Sequence, residues 1–174
     1  MSSKLLDKYY TSSKIAKLCL NKINDYDLVL EPSAGSGFFS NLIKNKHLIS
    51  VDIEPENENI TKMDFLEENL ELNSYKNVIV IGNPPFGKQN NLAIKFFNKC
   101  ASYSHVNCIA MIFPKSFKKV SIHDRCDLNF KLIKTYNIPK NSFLFENEIY
   151  DVPCVFQIWK RCENPRKKSK MPKL

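Results

Sequence analysis

Four β-branched residues in succession, Val78-Ile79-Val80-Ile81, run into Gly82-Asn83-Pro84-Pro85-Phe86-Gly87. A strand with no polar residue on either face has to be covered on both, which is the condition of a central strand in a parallel sheet flanked by helices. Two consecutive prolines cannot donate to a sheet ladder, so the strand stops at Asn83 and the backbone stays extended with its carbonyls exposed. Just beyond that end, Asn83 offers an amide donor and a carbonyl acceptor, and Phe86 offers a flat ring. The set suits a planar group bearing an amine. Both hydrogens of an adenine 6-amino group or of a glutamine carboxamide find acceptors in the Asn83 side chain and the Pro84 carbonyl, with Phe86 over the face. A Pro-Pro turn between strand and helix is the plainer reading of the same residues.

The remainder of the chain alternates strands with helices. Ser12 or Ser13 can cap a helix carrying Ile15, Ala16, Cys19, Leu20 and Ile23 on one face. Leu28-Val29-Leu30 is a short strand leading into Glu31-Pro32-Ser33-Ala34-Gly35-Ser36-Gly37, after which Phe38, Phe39, Leu42 and Ile43 resume helical spacing. Strand, glycine turn and helix together bring backbone N–H groups close to a ligand. A second strand, Leu48 to Ile53, carries Asp52 near its end, 21 residues after Glu31 and close to the spacing of a ribose-binding acid. Ile60 to Phe65 is a third short segment with Asp64 and Phe65 at its end, and Glu67 to Glu71 reads as a solvated helix face. A helix over Asn91 to Tyr103, a strand over Val106 to Phe113, and last strands over Ile133–Ile138 and Cys154–Trp159 follow. Pro139 to Pro153 is a long connection or hairpin. The pattern predicts a three-layer α/β fold with a mostly parallel sheet.

Length and charge set bounds. At 174 residues one domain fits, expected over 1–162, with 163–174 as a basic disordered tail. All four glycines, Gly35, Gly37, Gly82 and Gly87, fall in the two loops described above, as expected where a backbone must run without side chains. The net charge of +8 is compatible with a polyanionic partner. Six scattered cysteines form no Cys-x-x-Cys pair, which argues for thiols rather than zinc or disulfides, and no metal is expected. Met1 to Lys8 contain no apolar run and nothing later approaches a membrane span, so an intracellular protein without membrane contact is expected.

Taken in order, Tyr9-Tyr10-Thr11, Glu31-Pro32-Ser33-Ala34-Gly35-Ser36-Gly37 and Asn83-Pro84-Pro85-Phe86 resemble the motifs of amino-methylating S-adenosylmethionine-dependent methyltransferases, particularly the N6-adenine enzymes. The resemblance covers roughly Tyr9 to Phe97, and Gly87 with Asn90-Asn91 looks most like the RNA adenine-N6 enzymes. Tyr150-Asp151-Val152-Pro153 is similar to small relatives in large DNA viruses and some eukaryotes, which admits a viral protein in an infected cell. The resemblance implies a Rossmann-like methyltransferase fold with a seven-stranded sheet and an antiparallel last strand.

It further implies a cofactor, S-adenosylmethionine, and roles for single residues. Pro32, Ala34, Gly35 and Gly37 would pass the loop against the methionine part, with Glu31 near its amino group; Tyr10 and Thr11 would close over its carboxylate end. Asp52 would hold the ribose hydroxyls, and Asp64 with Phe65 the adenine. Asn83, Pro84 and Pro85 would hold the target amine, with Phe86 stacked on the target base. No histidine is needed as a base, because the methylated nitrogen is itself strongly acidic. There is no room for an added DNA-recognition domain, so substrate contact would come from Lys88, Lys115, Lys118, Lys119 and Arg125, from the tail, or from a small protein partner. Three functions stay open: adenine-N6 methylation of nucleic acid with RNA preferred to DNA, methylation of a protein glutamine amide, and a noncatalytic RNA-binding subunit of the same fold.

Overall fold

All of Val78–Gly82 is buried, as its composition requires, and in the computed structural model this strand is the middle one of seven. The structure describes residues 10–23, 26–44, 47–145 and 148–169. In chain order the strands are β1 (Tyr10–Thr11), β2 (Leu28–Glu31), β3 (His47–Asp52), β4 (Thr61–Lys62), β5 (Val78–Gly82), β6 (Val106–Pro114), β7 (Phe130–Asn137), β8 (Phe143–Phe145), β9 (Glu148–Tyr150) and β10 (Cys154–Arg161). The main sheet runs β4-β3-β2-β5-β6-β10-β7. Its pairs are parallel from β4 to β6, and β10, the last strand of the chain, inserts antiparallel between β6 and β7. The expected three-layer, mostly parallel sheet of seven strands with an antiparallel last strand is what forms.

Period-two alternation divides each central strand between two cores. Leu28, Leu30, Val78, Val80, Ile109 and Met111 face a layer built on Ala93 and Phe97 of α2 (Asn91–Ser102), with Trp159 of β10 edge-on to Phe97 at 5.1 Å. Val29, Ile79, Ile81, Cys108 and Ala110 face Ile15, Ala16 and Cys19 of α1 (Ser13–Leu20). Ser12 caps α1, its hydroxyl accepting from the Ile15 N–H at 3.4 Å. A short α3 (Val120–His123) follows β6.

Two expected helices do not form. After the glycine loop there is only a single 3₁₀ turn over Ser40–Leu42. The Ser40 hydroxyl donates to the Gly37 carbonyl at 3.2 Å, a local bond that competes with helix propagation, and Ile43 is already extended at φ −86°, ψ 104°. Phe39 still packs in the second core, so the apolar spacing reports burial rather than helix. The acidic stretch Glu67 to Glu71 has no helix either. The Asp64 carboxylate instead accepts from the Leu66 N–H at 3.0 Å and closes a turn that sets Leu66 and Leu70 against the first core.

The connection from Pro139 to Pro153 contains the hairpin β8–β9, and β1 pairs antiparallel with β8, Thr11 opposite Phe143, to make a second sheet of three strands. Of the segment expected to be a disordered tail, residues 163–169 are placed. Arg166 donates to the carbonyls of His123, Cys126, Asp127 and Phe130, and its guanidinium lies 5.5 Å from the centre of the Trp159 ring. The chain's basic end therefore begins as a strap over α3 rather than as free coil.

Candidate active site

Strand β2 has β3 on one side and β5 on the other, all parallel, so the connections leave it in opposite directions. A crevice opens at such a switch point beyond the carboxyl ends of the strands. The Glu31–Gly37 loop leaves β2 there and the Asn83–Gly87 loop leaves β5 beside it. The Ser33 hydroxyl ties the two, donating to the Asn83 carbonyl at 3.3 Å. Between them lies a cavity of about 260 Å³. Thr11, Glu31, Ser33, Asp52, Asp64 and Asn83 supply its polar side chains; Ile53, Met63, Phe65, Leu66, Leu92 and Phe96 make an apolar wall.

Gly35 and Gly37 take φ of 56° and 86°, left-handed values that a side chain resists, and this folds the loop back over the end of β2. The Gly35 N–H donates to one Asp52 carboxylate oxygen at 2.8 Å, while the Glu54 N–H donates to the other at 2.8 Å. Asp52 thus shapes the loop as well as lining the cavity. Glu31 is 1% exposed and its Oε2 meets no hydrogen-bond partner among the described residues. Burial pushes its carboxyl up to about 8, Asp52 adds to the rise, and Ser40 and Ser50 oppose it. The Asn83 side chain donates through Nδ2 to the Thr11 hydroxyl at 3.2 Å, joining the small sheet to the end of β5.

The fold brings Thr11, Glu31, Pro32, Ala34, Gly35, Asp52, Asp64, Phe65, Asn83 and Pro85 to one cavity, although they come from five separate stretches of sequence. Others of the expected set stand elsewhere. Gly37 is not in the cavity wall, because its carbonyl closes the following turn with Ser40 and Asn41. Pro84 is buried and Phe86 half-buried against both cores, while the Phe86 carbonyl accepts from the N–H groups of Leu92 and Ala93 at the start of α2. The Phe86 ring is thus partly committed to packing. Lys88, Lys115 and Lys118 lie outside the wall, on the turns that follow β5 and β6; the Lys118 ammonium donates to Asn137 at 2.8 Å, at the end of β7. For Tyr10 the structure fixes the backbone, paired with Leu144. Lining residues that sequence reasoning did not single out are Ser33, Phe38, Phe39, Ile53, Met63, Leu66, Leu92 and Phe96. Ser33 stood inside a recognised loop; the apolar ones carried no signal, since their spacing equally suits a core.

No helix among the described residues is long and apolar enough to cross a membrane, and no group of three or more His, Cys, Asp or Glu side chains is placed to hold a metal ion. No protein-family model matches the chain, and no curated protein sequence does. Solved structures do. The 23S rRNA methyltransferase ErmE superposes with a TM-score of 0.61 at 15% identity, over 90% of this chain and 70% of that one. A candidate RNA methyltransferase from Pyrococcus horikoshii gives 0.63 at 18% identity, over 92% of this chain and 90% of that one. A candidate class I S-adenosylmethionine-dependent methyltransferase from Listeria monocytogenes gives 0.66 at 13% identity, over 98% of this chain and 66% of that one. With strand order, the antiparallel β10 and these superpositions in agreement, the chain has the Rossmann-like fold of the class I methyltransferases.

Proposed function

We propose that this chain is an S-adenosylmethionine-dependent methyltransferase acting on the exocyclic N6 amine of adenine in nucleic acid, RNA in preference to DNA. The observation that carries the reading is that Asn83 and the Glu31–Gly35 loop line the same cavity. The residues present suit the cofactor. Glu31 brings to the cavity a buried carboxyl with one oxygen that meets no hydrogen-bond partner among the described residues, which suits an ammonium; Asp52 and Asp64 offer acceptors for hydroxyl and amino groups, and Phe65, Phe96 and Leu66 form an apolar wall that suits a purine.

When bound, S-adenosylmethionine supplies an electrophilic methyl group on a sulfonium. The work left to the protein is positioning. An exocyclic amine has its lone pair delocalised into the ring, so it attacks only when hydrogen bonds to its two hydrogens draw the nitrogen toward tetrahedral geometry. The side-chain carbonyl of Asn83, which lines the cavity, would provide one acceptor and the main-chain carbonyl of the adjoining Pro84, a buried residue, the other, together holding the nitrogen in line for attack. Methyl transfer leaves a positive nitrogen that sheds a proton to Asn83, a carbonyl or water without a dedicated base. The exposed part of Phe86 then meets the target base. RNA is favoured because ErmE acts on 23S rRNA and because the cations Lys88, Lys115, Lys118 and Lys119 follow the two strands nearest the Asn83 loop.

Wild type and Asn83→Ala, incubated with tritiated-methyl S-adenosylmethionine and with total RNA, DNA or protein in turn, test the proposal. Labelled N6-methyladenosine in RNA that falls at least ~100-fold in Asn83→Ala is the expected result. Label in DNA changes the preferred substrate, and label in protein moves the reading to the glutamine amide. No label in RNA, DNA or protein overturns the proposal.

A further inference from the structure

The three-stranded sheet β1-β8-β9 is separate from the sheet that builds the cavity, yet it delivers the Thr11 side chain to Asn83. Thr11 is 4% exposed, and its hydroxyl accepts from Asn83 Nδ2 at 3.2 Å across 72 residues of sequence. Its strand is held in turn: Thr11 pairs with Phe143, the Ser12 N–H donates to the Ser142 carbonyl at 3.3 Å, and Phe143 is buried in the second core at 1% exposure. The Asn83 main chain is fixed independently by the Ser33 hydroxyl on its carbonyl.

An asparagine amide is useful to an incoming amine in one orientation only. Its carbonyl oxygen accepts the amine's hydrogen, whereas its own NH₂ set against another NH₂ is repulsive. Rotation about the last side-chain bond of asparagine is broad and nearly two-fold, so the side chain does not choose by itself. Anchoring Nδ2 on Thr11 turns Oδ1 away from the small sheet. We infer that Thr11 is a positioning residue, which holds the Asn83 amide with its carbonyl toward the target nitrogen, and that the β1-β8-β9 sheet exists in this chain to set that orientation. The inference rests on the methyltransferase reading above and does not depend on whether the amine belongs to adenine or glutamine. It assigns Thr11 to the substrate amine through Asn83, distinct from the cofactor role that the sequence resemblance implies.

Thr11→Val keeps the shape and removes the hydroxyl; Thr11→Ser keeps the hydroxyl, and Thr11→Ala serves if the valine variant does not melt as a folded protein. Each is compared with wild type for cofactor affinity by calorimetry, for thermal melting, and for tritium transfer to total RNA at saturating cofactor. Thr11→Val is expected to lose roughly 10–100-fold in transfer rate while its cofactor affinity stays within about twofold and its melting is cooperative, and Thr11→Ser recovers most of the rate. An unchanged rate in the valine or alanine variant overturns the inference. So does a loss that higher cofactor concentration repairs, which makes Thr11 a cofactor ligand, or a serine variant as slow as the valine one. Wild type that transfers no label to RNA, DNA or protein overturns the parent reading and this inference with it, whereas an active wild type with an unaffected Thr11→Val overturns this inference alone.

Discussion

Glu31 shows how a single residue reports its task through its surroundings. A carboxyl group 1% exposed and pushed up to about 8 holds its proton at neutral pH in the ligand-free protein, and a cation bound beside it would release that proton. Its folded-state value lies above the ordinary 4.5, so the ligand-free folded protein binds the extra proton between those limits and the unfolded chain does not. The sign follows directly: this contribution to stability is whole below about pH 4.5 and fades as pH rises toward 8. Glu31→Gln is expected to flatten that decline, which has a limiting slope of about 1.4 kcal/mol per pH unit, in denaturant melts taken from pH 5 to 8. The same variant flattens the rise in cofactor affinity with pH, because a glutamine cannot ionise to meet an ammonium. A wild-type stability profile as flat as the variant's refutes this account of Glu31.

At the scale of elements, two arginines, one at the end of β10 and one just after it, hold the ends of α2 and α3 in place. Arg161 donates to the carbonyls of Ala101, Tyr103 and Val106, and Arg166 does the same for the segment His123 to Phe130. Three of these carbonyls also accept a backbone N–H, Tyr103 from Val106, His123 from Cys126 and Asp127 from Phe130, so the arginines take up their second lone pairs. Arg166→Ala is therefore expected to cost about 2 kcal/mol and to lower the melting temperature by roughly 4–8 °C. Arg166→Lys recovers only part of this, since one ammonium cannot span the carbonyls that the planar fork reaches. A truncation after residue 162 that melts at the wild-type temperature removes the structural role.

Across the whole molecule the charges separate along the sheet. From Asp52 to Glu71, on the β3–β4 side, the one cation is Lys62, while from Leu72 to Phe145, on the β5-β6-β10-β7 side, the only acids are Asp124 and Asp127. A polyanion approaching the cavity mouth is repelled by the first half and drawn to the second. Changing Lys115, Lys118 and Lys119 together to glutamine is expected to reduce the slope of log affinity against log salt for RNA by about 2, measured by fluorescence anisotropy with a labelled single strand. A slope that does not change removes these residues from the RNA path. Cofactor affinity is expected to stay the same in that variant, since none of the three lines the cavity.

The sequence by itself determined the fold class and the two loops. Val78–Ile81 has no polar face and must lie inside a sheet, two prolines must end it, and left-handed Gly35 and Gly37 must turn the chain after β2. These are local demands, written within a few residues. Only the tertiary structure decided that Phe38 to Ile43 turns instead of forming a helix, that Phe86 is half-buried against both cores, and that the chain's basic end straps α3 through Arg166. It also decided that Thr11 meets Asn83 72 residues away. Apolar periodicity records that a side chain is buried but not against what, and a hydrogen bond between distant strands depends on sheet order and register. Neither is legible until the strands are side by side.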